Sequence, residues 1–220
     1  MRISAVIPAL NARRHLEAAI ASVRDGVAEI VVSDGGSADG TPELARSVGA
    51  HVVEGPPGRG AQLRRGALAA TSPWLLFLHA DTRLETGWAA KSEQALNANR
   101  QAAGYFRFAL DDASPRARRL ERMVAWRSRT FGLPYGDQGL LIPRELYNAL
   151  GGFRDMPLME DVDLVRRIGR KNLVAIDAAA LTSAAKFLRD GYTRRSAKNL
   201  LCLTLYFAGV SPAAIKRIYG

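Results

Sequence analysis

Over the first hundred residues the apolar positions switch repeatedly between two periods. Ile3 to Pro8 is a short, mostly apolar run with a proline at its end, which predicts a strand. His15 to Arg24 instead places Leu16, Ala19, Ile20 and Val23 at helical spacing, with Asn11 positioned to cap that helix. Glu29 to Val32 reads as a second strand. The turn SDGGSADGT follows, and then a helix with Thr41 as its cap, Pro42 at its first position and Leu44 and Val48 on one face. His51 to Val53 predicts a third strand, GPPGRG a loop, Ala61 to Ala70 a helix and Trp74 to Leu78 a continuous apolar strand. Strands alternating with helices in this way predict an α/β protein with a mostly parallel sheet flanked by helices on both faces.

The second half is less regular. Tyr105 to Leu110 and Gly139 to Ile142 read as strands, and Leu173 to Ile176 as the last one. Helices are predicted over Arg144 to Leu150, stopped by Gly151-Gly152, and over Glu160 to Arg170. Ser114 to Phe131 is a helical stretch with six arginines and one acid, and Ser196 to Val210 is apolar and helix-prone. No repeat, low-complexity tract or linker divides the chain, so residues 1–220 are expected to form one domain.

Composition narrows the classes. With 48% apolar and 24% charged residues in a chain of 220, a disordered or fibrous protein is excluded. The single cysteine, Cys202, rules out an internal disulfide and a multi-cysteine metal site. The longest nearly apolar run, Leu200 to Val210, is 11 residues, short of the roughly 20 needed to span a bilayer. The N-terminal MRISAVIPAL reads into a strand rather than a signal peptide, so a cytoplasmic protein is expected. The net charge of +10 is uneven: residues 1–100 carry 11 basic and 10 acidic side chains, residues 101–220 carry 20 and 11. A basic second half suits phosphates, nucleic acid or an anionic membrane surface, or is simply a solvated face.

In parallel sheets, ligands bind beyond the carboxyl ends of the strands, so chemistry is sought in the turns there. Asp34 ends the second strand and is followed by Gly35 and Gly36, which permit close ligand approach, with Asp39 and Thr41 read as helix-capping residues. The loop before Ala61 offers glycines and Arg59 to an anion, although neither a Walker loop nor GxGxxG is present. The apolar strand WLLFL runs directly into His79-Ala80-Asp81, delivering a carboxylate that could hold a divalent cation. Glu160, Asp161 and Asp163 either complement a helix dipole or supply a general base, and their spacing leaves open which one faces inward.

The segments VIPALNA, VSDGGSADGT, GRGAQLRRGA, LLFLHADTRL, GDQGLLIPRELYNALGGF and MEDVDLVRRI, in this order from Val6 to Ile168, resemble the family 2 glycosyltransferases. The finer resemblance is to small bacterial members associated with radical-SAM or selenium domains. Beyond Ile168 no motif matches. The resemblance implies a GT-A fold, with residues 1–100 binding the nucleotide sugar and 101–220 the acceptor. It implies that Asp34 contacts the nucleotide base and that Asp81, as last acid of a DxD motif, binds Mg2+ or Mn2+. It further implies that Asp161 is the catalytic base with Glu160 beside it, and that Gly136, Asp137 and Gln138 line the pocket. Pro8, Asn11, Gly36, Arg59, Gln62, His79 and Ala80 fall in the matching donor-binding segments. Two departures are His79, where the family has an acid, and Asn11-Ala12, where many members have Asn-Glu.

The implied reaction is an inverting transfer of a sugar, most commonly from a UDP-sugar, to the hydroxyl of an unknown acceptor. No nucleic-acid partner is expected; the basic helical stretches of the second half are read first as a core-facing apolar side with solvated arginines, with peripheral contact with an anionic membrane at its inner face as the alternative. Two rival readings are a sugar nucleotidyltransferase, whose N-terminal glycine-rich loop residues 8–14 do not supply, and a non-catalytic nucleotide- or nucleic-acid-binding module, for which no stacking platform is evident.

Overall fold

The computed structural model describes residues 1–219. Eight strands run in chain order as β1 (Ile3–Ala9), β2 (Glu29–Asp34), β3 (His51–Glu54), β4 (Trp74–Phe77), β5 (Thr82–Leu84), β6 (Ala103–Leu110), β7 (Leu140–Pro143) and β8 (Leu173–Thr182). The helices are α1 (Arg13–Val23), α2 (Thr41–Ser47), α3 (Arg59–Ala69), α4 (Trp88–Leu96), α5 (Pro115–Phe131), α6 (Arg144–Ala149), α7 (Glu160–Ile168), α8 (Ala185–Asp190), α9 (Tyr192–Phe207) and α10 (Pro212–Tyr219). Among the described residues no helix is long and apolar enough to cross a membrane.

All strands join one sheet in the order β3-β2-β1-β4-β7-β6-β8-β5. The first four are parallel, as the strand–helix alternation predicts. The second half turns the sheet mixed: β7 runs antiparallel to both β4 and β6, β8 lies parallel to β6, and β5 is antiparallel to β8. The two faces bury separate cores. Ile7, Leu16, Ile20, Val32, Leu76 and Phe106 pack on one side, and Val6, Val31, Leu63, Leu75, Ile142 and Leu164 on the other. This is why β4 is apolar throughout and β1 apolar but for the buried, hydrogen-bonded Ser4, instead of alternating.

Two capping expectations are corrected. The N-cap of α1 is Ala12 and carries no side-chain cap. Asn11 instead adopts a left-handed backbone (φ 49°), and its Oδ1 accepts from the Ala38 amide at 2.9 Å, tying the turn after β1 to the turn after β2. For α2 the N-cap is Gly40, in the left-handed region at φ 81°. The Thr41 hydroxyl faces away, accepting from the Ala12 amide and donating to Asp39.

Helix α3 lies close on β1 because Gly66 has no side chain: a Cβ there would meet Cγ1 of Val6. Gly66→Ala should therefore destabilise the fold by about 1–3 kcal/mol through overpacking. The urea midpoint would read this, and an unchanged midpoint would mean that α3 slides freely over the sheet.

Candidate functional site

The carboxyl ends of β4 and β8, the loop before β7 and the starts of α3 and α7 surround a cleft of about 150 Å³. Of the residues expected at a site, Arg59, His79, Asp81, Asp137 and Asp161 line it. Thr182, Lys186, Arg195, Asn199, Cys202 and Tyr219 join them in the wall, all from the chain after Ile168, where no motif was read, and Tyr135 joins them from the loop before β7.

The three acids of α7 diverge because successive helical residues point about 100° apart. Glu160 is 1% exposed and forms an ion pair with Nε of Arg59, its second oxygen having no partner. It does not line the cleft but sits behind Arg59, which does. Asp163 pairs with Arg154 and Arg167. Asp161 alone turns into the cleft, its two oxygens accepting from the amides of Gly136 and Val162, both at 2.8 Å. Burial raises the Asp161 carboxyl, but the Arg59 guanidinium and these amides outweigh it and hold the group below the usual aspartate value, hence ionised at neutral pH.

Gly136 is small for a reason: a Cβ there would sit 2.7 Å from Nε2 of His79 and 3.2 Å from Oδ2 of Asp161. The loop backbone thereby seals the gap between the imidazole and the carboxylate. Burial, assisted by Arg59, pushes His79 down to about 4, so the ring is neutral. Asp81, two residues on, is partly buried and 3.2 Å from Nζ of Lys186. Burial raises its carboxyl, and the Lys186 ammonium outweighs that effect and keeps it ionised.

The remaining expected residues serve the scaffold. Asp34 is 1% exposed; its Oδ2 accepts from the amides of Gly36 and Ser37 at 2.7 and 2.8 Å, and its Oδ1 from the Ser37 hydroxyl, which places it outside the cleft lining. Gly36 lies beside it with open space around it, and Pro8 pairs in register with Ser33. Gln62 is buried and donates to the carbonyls of Ala9 and Ser33 at 2.7 and 3.0 Å, joining the ends of β1 and β2. Ala80 belongs to the core. Gln138, expected in the pocket, is also buried: it accepts from the Ser128 hydroxyl at 2.9 Å and donates to the Phe106 carbonyl at 3.0 Å, pinning its loop to α5 and β6.

Among the described residues no three His, Cys, Asp or Glu side chains converge as a ready-made metal cage. What the cleft offers a cation is the Asp81 carboxylate and the Oδ1 of Asp137, which is buried without a hydrogen-bond partner. That suits Mg2+ or Mn2+, which take one or two carboxylates and complete their shells with water and substrate phosphate.

Burial raises Asp137 from 3.8 to about 6, against the pull of Arg127. The unfolded chain loses this proton at lower pH than the native state, so a stability penalty grows between those two values and is constant above them. Asp137→Asn should therefore raise stability near pH 7 by about 1–3 kcal/mol and change it little near pH 4. Melting curves across that range test this, and a difference that does not grow with pH would contradict it.

The glycosyl transferase family 2 model matches residues 4–159. An uncharacterised glycosyltransferase of Mycobacterium bovis is 37% identical over 86 residues, 39% of this chain and 39% of that protein. The glycosyltransferase AglJ of Haloferax volcanii is 38% identical over 87 residues, 38% of this chain and 29% of that protein. The matched stretch thus spans well under half the length of either relative. Among solved structures, glucosyl-3-phosphoglycerate synthase of Mycobacterium tuberculosis, in complex with Mn2+, UDP and glucosyl-3-phosphoglycerate, superimposes with a TM-score of 0.58 at 23% identity, covering 81% of this chain and 70% of that one. TarS of S. aureus, residues 1–349, gives 0.66 at 13% identity, covering 99% and 69%. Both likenesses are of fold. With the family model matched over more than half its length, the chain belongs to glycosyl transferase family 2.

Proposed function

We propose that this glycosyltransferase moves a sugar from a nucleoside diphosphate, with UDP as the expected carrier, to an acceptor hydroxyl with inversion at the anomeric carbon. The observation that carries the reading is the charge arrangement of one cleft: the ionised carboxylate Asp161 shares it with three basic side chains, Arg59, Lys186 and Arg195, and with Asp81 and Asp137. Converging cations suit a diphosphate, and a desolvated carboxylate suits proton removal. The Mn2+ and UDP bound by the mycobacterial synthase support the same donor class.

In this reading Asp161 accepts the proton of the acceptor hydroxyl. The oxygen forms a bond to the anomeric carbon as the bond to the diphosphate oxygen breaks on the opposite face. One displacement inverts the configuration. Arg59, held in place by Glu160, faces the charge that develops on the leaving group. Asp81 and Asp137 would hold a divalent cation, which when bound supplies further positive charge to the diphosphate. His79, neutral and packed on Gly136, shapes the cleft without adding charge.

Thermal-shift measurements with UDP-, GDP- and dTDP-sugars, with and without Mn2+, test the donor class: a metal-dependent rise with UDP-sugars is expected. No rise with any of them would overturn the reading. Where donor is turned over to water, proton NMR of the freshly released sugar should show the inverted anomer. Asp161→Asn should lower that turnover by about 10²–10⁴-fold while leaving the UDP-sugar thermal shift in place. Lys186 competes for Asp81, and its side chain is 58% exposed, so Lys186→Ala should tighten Mn2+ binding to the nucleotide-free protein by about two- to fivefold. Electron paramagnetic resonance titration of free Mn2+ reads this directly, and unchanged or weaker binding would place the cation away from Asp81.

A further inference from the structure

The outward face of α5 carries basic side chains without acidic partners among the described residues. Its inner side is well used: Ala117, Val124 and Ser128 are buried, and Leu120 packs with Phe108 and Leu110. Two of its six arginines are tied down. Arg118 bonds to the Leu110 and Asp112 carbonyls and pairs with Glu121, while Arg127 bonds to the Leu133 carbonyl and stacks over Tyr135. The one acid of the helix, Glu121, turns inward to accept from the Leu110 amide. The other four arginines, Arg116, Arg119, Arg122 and Arg129, are exposed and have no acidic partner among the described residues.

Set among these arginines are Met123, Trp126 and Phe131, which are 54%, 62% and 54% exposed. Their exposure sets them apart from the core-facing side of the helix, which Ala117, Leu120, Val124 and Ser128 already supply. The rings of Trp126 and Phe131 meet edge to face at 5.2 Å and so form one apolar ridge. A soluble face gains nothing from placing a tryptophan, a phenylalanine and a methionine in water between unpaired arginines. A bilayer surface takes both: guanidinium groups meet lipid phosphates while the aromatic and thioether groups enter the boundary between headgroups and acyl chains.

We propose that the outward face of α5 docks on an anionic lipid bilayer. Acidic headgroups match the four free arginines, and the ridge supplies an apolar contact that a nucleic-acid backbone would leave in water. The helix leads through Leu133 and Pro134 into Tyr135, which lines the cleft, so docking holds the cleft entrance near the lipid surface. This inference does not depend on the reading of the cleft chemistry.

Sedimentation of the full chain with phosphatidylcholine vesicles, and with vesicles of phosphatidylcholine mixed with phosphatidylglycerol, tests it without any enzyme assay. Binding is expected to the mixed vesicles only, and to weaken as salt is raised. Trp74 and Trp88 are buried, which leaves Trp126 as the exposed tryptophan. Fluorescence that shifts to the blue on binding, and is quenched by brominated lipid, therefore reports insertion of α5 itself. The double variant Trp126→Ser with Phe131→Ser, and separately Arg119→Glu with Arg122→Glu, should each lower vesicle partitioning at least tenfold while leaving the melting temperature close to that of the parent. Absence of sedimentation at low salt, equal binding to neutral vesicles, or binding that survives both double variants would each overturn the proposal. So would self-association through Trp126, or tight binding to an oligonucleotide, in a protein that ignores vesicles.

Discussion

The ion pair between Arg59 and Glu160 is the constraint on which the cleft depends. It joins residues 101 positions apart and thereby fixes the start of α3, from the first half of the chain, against the start of α7, from the second. Glu160 is buried with one oxygen already unpartnered. Losing the guanidinium would strand its charge, at a cost on the order of 3–5 kcal/mol. The same guanidinium is the leading influence that offsets the burial of Asp161. One arginine therefore anchors the architecture through one carboxylate and sets the charge state of its neighbour, which faces the substrate side.

The cleft brings ionisable side chains together in one partly buried space. Asp137 keeps a buried oxygen without a partner, Asp81 is balanced by a lysine from a separate helix, and His79 is held neutral. An unpartnered buried polar atom in a cleft is a place where binding can supply the missing partner. The Asp34 turn shows the opposite character. Both oxygens of Asp34 are engaged by Gly36 and Ser37, so it holds the turn after β2 in shape.

The first half was legible because its signals are local. Buried parallel strands read as mostly apolar runs, and β1, β2 and β4 were found close to their observed bounds. Helix α4 was missed because its buried stripe is Trp88, Ser92 and Leu96, with a serine where an apolar residue would have marked the period. The three residues of β5 are too few for any periodicity. Asp81 and Asp161 were found through motif and position, whereas the placement of Glu160 and Gln138 behind the site could not be, since each depends on a partner supplied by a distant element: Arg59 for one, Ser128 and Phe106 for the other. Lys186 was visible only as one basic residue among several. Its meeting with Asp81 requires β8 to bring α8 back across 105 positions of sequence.

That last pairing bears on the order in which the molecule can come into being. The four parallel strands β3, β2, β1 and β4 are complete by residue 77, and their contacts lie within that stretch. The cleft has no such independence. Its walls require β8 and the helices that follow, and closing loops of a hundred residues is slow compared with forming neighbouring contacts. On a ribosome, the parallel strands can be in place while most of the wall of the cleft is still unmade. Closure of the cleft is thus a late acquisition of the folding chain, and a nascent molecule passes through a long interval in which β4, just ahead of Asp81, can already pair but Lys186 has not been synthesised.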